Sequence, residues 1–137
     1  MKLEQQVCSL ELAQKLKELG VKQESLFWWL NMVLVKDNEN LPTKWNIVNS
    51  EVKAWRDREE SISAFTVAEL GEMLPKELKI GEYIYDVEFY WSDKEWFISY
   101  AKYVDGIHRE HEIYAETEAD SRAKMLCYLL ENKLITI

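Results

Sequence analysis

Histidine and cysteine, the residues that build most metal and nucleophile sites, are scarce here, with two of each in 137 residues. Cys8 and Cys127 form no CxxC pattern, so neither a zinc site nor a redox dithiol is spelled out, and two free thiols fit a reducing cytoplasm. The four glycines, at positions 20, 71, 81 and 106, are too scattered for a phosphate-cradling loop or a dinucleotide fingerprint. No GxSxG occurs. Basic residues are also few, 17 Lys and Arg against 25 Asp and Glu. The resulting net charge of −8 argues against direct nucleic-acid binding, which depends on clustered bases. No long apolar run is present: Leu26–Val35 is ten residues broken by Asn31, too short for a bilayer. The N-terminal MKLEQQVCSLEL lacks the apolar stretch of a signal peptide. The expectation is a cytoplasmic protein with no membrane contact, no metal and no cofactor.

Aromatic residues are plentiful: six Trp, seven Tyr and four Phe. Many fall between Gly81 and Ala115, which reads as a meander of three antiparallel strands. Tyr83, Tyr85, Val87, Phe89 and Trp91 alternate with more polar neighbours, the period of two that a half-buried strand needs. A two-residue turn at Asp93-Lys94 pairs Trp91 with Trp96, Phe89 with Ile98 and Val87 with Tyr100. A second at Asp105-Gly106 pairs Val104 with Ile107, Tyr100 with His111 and Ile98 with Ile113. Both turns keep one apolar face continuous, through Trp96, Ile98 and Tyr100 to Ile113 and Ala115.

Three helices are signalled around this sheet. Ser9 caps the first, whose stripe is Leu12, Ala13, Leu16 and Leu19, and Gly20 ends it. Thr66 and Glu69 have capping-box spacing, and Phe65 and Leu70 form the accompanying staple. Val67, Leu70, Gly71 and Leu74 make that helix's buried stripe, and Gly71 within it points to a close approach to the sheet. Thr117 caps the last helix, with Ala119, Ala123, Leu126, Cys127, Leu130 and Leu134 inward. Leu26–Val35 reads as a strand, paired with Lys44–Val48 beyond the loop at 37–43. Asn49–Ser61 reads equally as a short helix carrying Val52 and Trp55 or as an irregular excursion. The whole chain, 1–137, is read as one α+β domain, an antiparallel sheet with helices packed on one face.

No catalytic constellation emerges. His108 and His111 match neither HExxH nor HxxEH, and on a regular strand they face opposite ways. Cys127 reads as an inert core residue, and Cys8, with no placed histidine partner, as a bystander. Ser9–Leu34 is no helix-turn-helix: Ala13 and Gly20 lie seven apart where that motif has four, and ESLFWWLNMVL has no base to reach a phosphate. Three candidate surfaces remain. Tyr90, Phe97, Tyr103 and Tyr114 share the second face of the meander and form a partner patch if nothing covers them. Glu110, Glu112, Glu116, Glu118 and Asp120 form a candidate acidic surface. Tyr100 and His111 mark a candidate pocket between sheet and helices.

Three stretches taken together, Ser9–Trp29, Ile62–Pro75 and Glu118–Ile135, resemble a group of small bacterial proteins found often in prophages and other mobile elements. They cover a little over a third of the chain. The resemblance implies a phage or mobile-element origin and carries over no functional residue. The leading expectation is a non-catalytic interaction protein that engages a host or phage protein, its oligomeric state left open. The alternatives are a small-molecule-binding module or minor enzyme using Tyr100 and His111, and an acidic inhibitor or mimic acting on a nucleic-acid-binding protein.

Overall fold

Ser9 opens the first long helix as its hydroxyl predicts, accepting from the Leu12 amide at 3.5 Å. The computed structural model describes residues 2–32, 35–36, 39–40 and 44–137. In chain order the elements are α1 (Leu3–Gln6), α2 (Leu10–Glu18), β1 (Phe27–Met32), β2 (Val35–Lys36), β3 (Glu39–Asn40) and β4 (Lys44–Asn49). Then follow α3 (Ser50–Trp55), β5 (Ser61–Ser63), α4 (Val67–Met73), β6 (Glu77–Ile80), β7 (Tyr83–Ser92), β8 (Glu95–Tyr103), β9 (Ile107–Ala115) and α5 (Glu118–Glu131). The fold is α+β with antiparallel sheets, as expected. No helix among the described residues is long and apolar enough to cross a membrane.

Local signals settled the helix ends. Gly20 takes φ +91° after α2, its amide bonding Lys17 O while the Val21 amide reaches Leu16 O, the paired bonds of a Schellman ending. Both halves of the Thr66–Glu69 capping box are made, at 3.2 and 3.0 Å. Thr117 Oγ1 accepts from the Asp120 amide, and the Asp120 carboxylate accepts from the Ser9 amide at 2.7 Å, tying the start of α2 to that of α5.

Sheet assembly is where expectation and structure part. The expected strand pair forms, Phe27 opposite Asn49 through Met32 opposite Lys44. It does not join the meander. It gains β5 on its other edge and stands as a separate sheet, order β4-β1-β5. The Leu26–Val35 segment is not one strand either: β1 stops at Met32, Val35 belongs to a two-residue ladder with Asn40, and 33–34 lie outside the described residues. Of the 37–43 loop, 37–38 and 41–43 also lie outside them. The Asn49–Ser61 segment holds α3, on which Trp55 is 84% exposed. The meander has four strands, because residues 77–80 after Pro75 pair with Tyr83–Asp86.

α5 occupies the centre. Ala119, Ala123, Met125, Leu126 and Leu129 are buried on more than one side of it, since it packs against α2, α4, β8 and β9. That is wider burial than a single stripe. Leu134 lies past the helix end and is exposed rather than inward. On the apolar meander face Leu78, Tyr85, Ile98, Tyr100 and Ala115 are buried. Tyr83, Phe89 and Trp91 stay at least 39% exposed, because α5 packs over β8 and β9 rather than over β7.

Both thiols are free and buried. Burial pushes Cys8 up to about 12 and Cys127 up to about 11, away from the thiolate form that reacts. Native protein at pH 8 is therefore expected to react with an aromatic disulfide reagent about a hundredfold or more slower than guanidinium-unfolded chain, read by stopped-flow absorbance, with Cys8 the slower of the two thiols. Rapid native labelling of Cys8 would contradict this burial.

Candidate functional site

The meander's outer face, turned away from α5, is set by two hairpins. Asp93 and Lys94 take φ +49° and +65°, the positive pair a type I′ turn requires, and the expected register of Trp91, Phe89 and Val87 against Trp96, Ile98 and Tyr100 holds throughout. The second hairpin is different. Tyr103, not Val104, pairs with Ile107, so the loop has three residues, and Tyr100 lies opposite Glu110 rather than His111. The register then returns to Ile98 opposite Ile113 across an irregularity between Ile98 and Tyr100. His111, at φ +54°, is the extra residue of that bulge. A longer turn and a bulge thus offset one another, and Ile113 and Ala115 still reach the core.

The bulge also changes which way the histidines face. His108 lies opposite Lys102, on the helix side, and the His111 ring packs on Tyr128 of α5 at 4.9 Å. Both therefore share one face, not opposite faces, because the extra residue shifts the alternation by one. Three residues of strand still separate them by roughly 10 Å. Among the described residues no group of His, Cys, Asp and Glu is placed to hold a metal ion. A β-branched side chain tolerates positive φ poorly, so His111→Val is expected to destabilise by about 2 kcal/mol and His111→Asn by much less, read by urea unfolding. Equal effects would show that the bulge is not held as described.

On the outer face three rings form a row across three strands. Tyr90 and Phe97 stack at 5.0 Å with planes 4° apart, and Phe97 meets Tyr114 at 5.6 Å. Tyr90 Oη donates to Glu112 at 2.8 Å, and the Arg109 guanidinium sits 5.4 Å from the Tyr90 ring centre. Further along, Tyr103 Oη donates to Glu88, which also receives Arg109 Nε at 3.3 Å. Between the two groups lie Ser99 and Ala101, small, and buried beneath the longer side chains around them. The ring row and Tyr103 therefore flank a shallow floor.

Electrostatics here favour recognition over proton transfer. Partial burial, then the Glu112 hydrogen bond, pushes the Tyr90 phenol up to about 12, and the bond to Glu88 raises Tyr103. Each tyrosine holds its proton more tightly than a free phenol does, the reverse of what an activated nucleophile needs. Tyr103 and Tyr114 are each 56% exposed, and nothing in the strand pair of β1 and β4 covers them.

No family model, curated protein or solved structure matches this chain.

The other candidate residues are dispersed. Tyr100 is wholly buried with its hydroxyl donating to Pro75 O at 2.8 Å, and its ladder partner is Glu110 rather than His111. Glu112 faces outward with Tyr90, while Glu110 stands opposite Tyr100 on the helix side. Glu118 pairs with Arg122 at 2.7 Å and Asp120 serves the Ser9 amide, so both are engaged within the fold. Glu116 lines an open notch with Trp96 and Gln5. The five acids share no single surface. Sequence reasoning passed over Glu88 and Arg109, which hold the outer face together. Their even–odd placement on β7 and opposite Ala101 is the signal that finds them, once the second hairpin's true register is known.

Proposed function

We propose that this chain is a non-catalytic interaction protein that docks a partner protein on the outer face of its meander. One observation carries this reading: Tyr103 and Tyr114 stand 56% exposed on a sheet face whose opposite side is already packed by α5. Large aromatic side chains left in water at both ends of one sheet face contribute little to folding and much to binding, where Tyr is a frequent anchor. The resemblance of three stretches to proteins of prophages and mobile elements supports a host or phage protein as the partner. It also supports that origin for the chain itself.

The test compares capture from a lysate of the native host by tagged wild-type protein and by Tyr103→Ala/Tyr114→Ala. Both side chains are exposed, so the double variant should keep its melting temperature within a few degrees. At least one protein is expected to be bound specifically by wild type and reduced about tenfold or more by the variant, the loss of one binding hot spot. Identical captured sets would remove the outer face as the docking site.

A further inference from the structure

We infer that the partner segment docked on this face is a basic, extended polypeptide, with a cationic side chain seated between Glu77 and Asp86 and an aromatic or arginine side chain on the ring row. This deepens the docking reading above and rests on it.

Charge on the face is one-sided. Glu77, Asp86, Glu88, Glu95 and Glu112 share it with two bases, Lys79 and Arg109. Arg109 is occupied by Glu88, and the Glu112 carboxylate receives Tyr90. Glu77 and Asp86 lie directly opposite one another in the ladder, both exposed, and neither makes an ion pair among the described residues. Like charges facing each other across strands weaken a sheet, so the pair is a cost in the free protein that a cation between the two would relieve. At the other end, the ring row already accepts the molecule's own guanidinium, Arg109 over Tyr90, which shows the chemistry that suits it.

Geometry sets the occupant's shape. Tyr90 and Asp86 are four residues apart on β7, so the ring row and the acidic pair are separated by about 13 Å, four residues of extended chain. A segment laid along the strands with an aromatic residue at one position and Lys or Arg four further on meets both. It lies on the face and does not extend the sheet, because the available edges are blunted: β6 is four residues long, and β9 carries the His111 bulge within a charged run.

The test uses 15N-labelled full-length protein and an acetylated peptide, Gly-Tyr-Gly-Ser-Gly-Lys-Arg-Gly-Gly. Controls are the same peptide with Glu at both basic positions, and spermine. The basic peptide should perturb the amides of Tyr90, Ala101 and Tyr114 as one cluster. Its affinity should fall at least about fivefold for Glu77→Gln/Asp86→Asn and again between 50 and 300 mM salt. That double variant relieves repulsion, so its melting temperature should equal or exceed wild type. Equal binding of the acidic peptide, unchanged affinity in the double variant, shifts mapping elsewhere, or spermine binding as tightly as the peptide would each overturn the inference. If the Tyr103/Tyr114 variant loses its captured protein while the basic peptide shows no response, the docking face stands and only the partner's charge is wrong. If both fail, the docking reading falls as well.

Discussion

Tyr100→Ala is expected to lower the unfolding free energy by about 3–5 kcal/mol, a large part of the roughly 5–15 kcal/mol that holds a domain of this size together. Tyr100 stands in the middle of β8 with no exposed surface, opposite Val87 on one side and Glu110 on the other. Its hydroxyl donates 2.8 Å to the Pro75 carbonyl, at the joint where α4 ends and β6 begins. Truncation removes the ring and leaves that carbonyl without its donor. Tyr100→Phe isolates the second effect and is expected to cost about 1–3 kcal/mol.

The same residue gives a pH signature. Burial raises the Tyr100 phenol above the value of about 10 that it has in the unfolded chain, and Tyr90 is pushed up to about 12. As pH rises past about 10 the unfolded chain loses these protons while the folded one keeps them, which favours unfolding. The stabilisation is therefore complete below about pH 10 and is lost as pH climbs through the folded values. Urea unfolding from pH 7 to 11.5 should show wild type weakening above pH 10 and Tyr100→Phe weakening less steeply. Parallel pH profiles would mean that the Tyr100 hydroxyl is not buried as described.

The second large effect is a reversal of sign at Gly71. Arg122 of α5 reaches across to α4, donating from Nη1 to Val67 O at 3.1 Å and from Nη2 to Glu118 at 2.7 Å, with its guanidinium 4.1 Å from the Phe89 ring centre. A Cβ on Gly71 would sit 2.4 Å from Nη1. The close approach expected at this glycine is thus to the guanidinium of another helix, not to the sheet. Gly→Ala inside a helix normally stabilises by about 1 kcal/mol. Here the arginine would have to move, and two hydrogen bonds pin a side chain that is only 15% exposed. Gly71→Ala is expected to destabilise by about 1–2 kcal/mol, and Arg122→Ala by about 2–3 kcal/mol. In the Arg122→Ala background the clash is gone and Gly71→Ala should stabilise. Denaturant curves for the four proteins form a double-mutant cycle, with a coupling of about 2–3 kcal/mol expected. Additive effects would show that the two positions do not meet.

Much of the architecture was readable from short spans. The Ser9, Thr66 and Thr117 caps, the Gly20 ending and the Asp93-Lys94 turn each depend on a handful of consecutive residues, and all formed where read. So did the pairing of β1 with β4 and the ring row of Tyr90, Phe97 and Tyr114. Arg122 could not be read as a clamp, because its partners lie 55 residues back at Val67 and on the β7 ring of Phe89. Nor could β5, three residues whose pairing depends on the free edge of β1.

By itself, then, the sequence determined the capped starts of α2, α4 and α5, the Gly20 ending of α2, the α+β class and the alternation that gives the meander two unlike faces, since capping, turn conformation and side-chain period act within a few residues. Only the tertiary structure decided that the strands divide into a three-stranded and a four-stranded sheet beside the short β2–β3 ladder, that α5 packs over β8 and β9, and that a bulge at His111 restores the register a three-residue loop displaced. It also decided that Tyr103 and Tyr114 remain open to water. Those outcomes turn on which distant segments compete for the same apolar surface, and no local pattern records that competition.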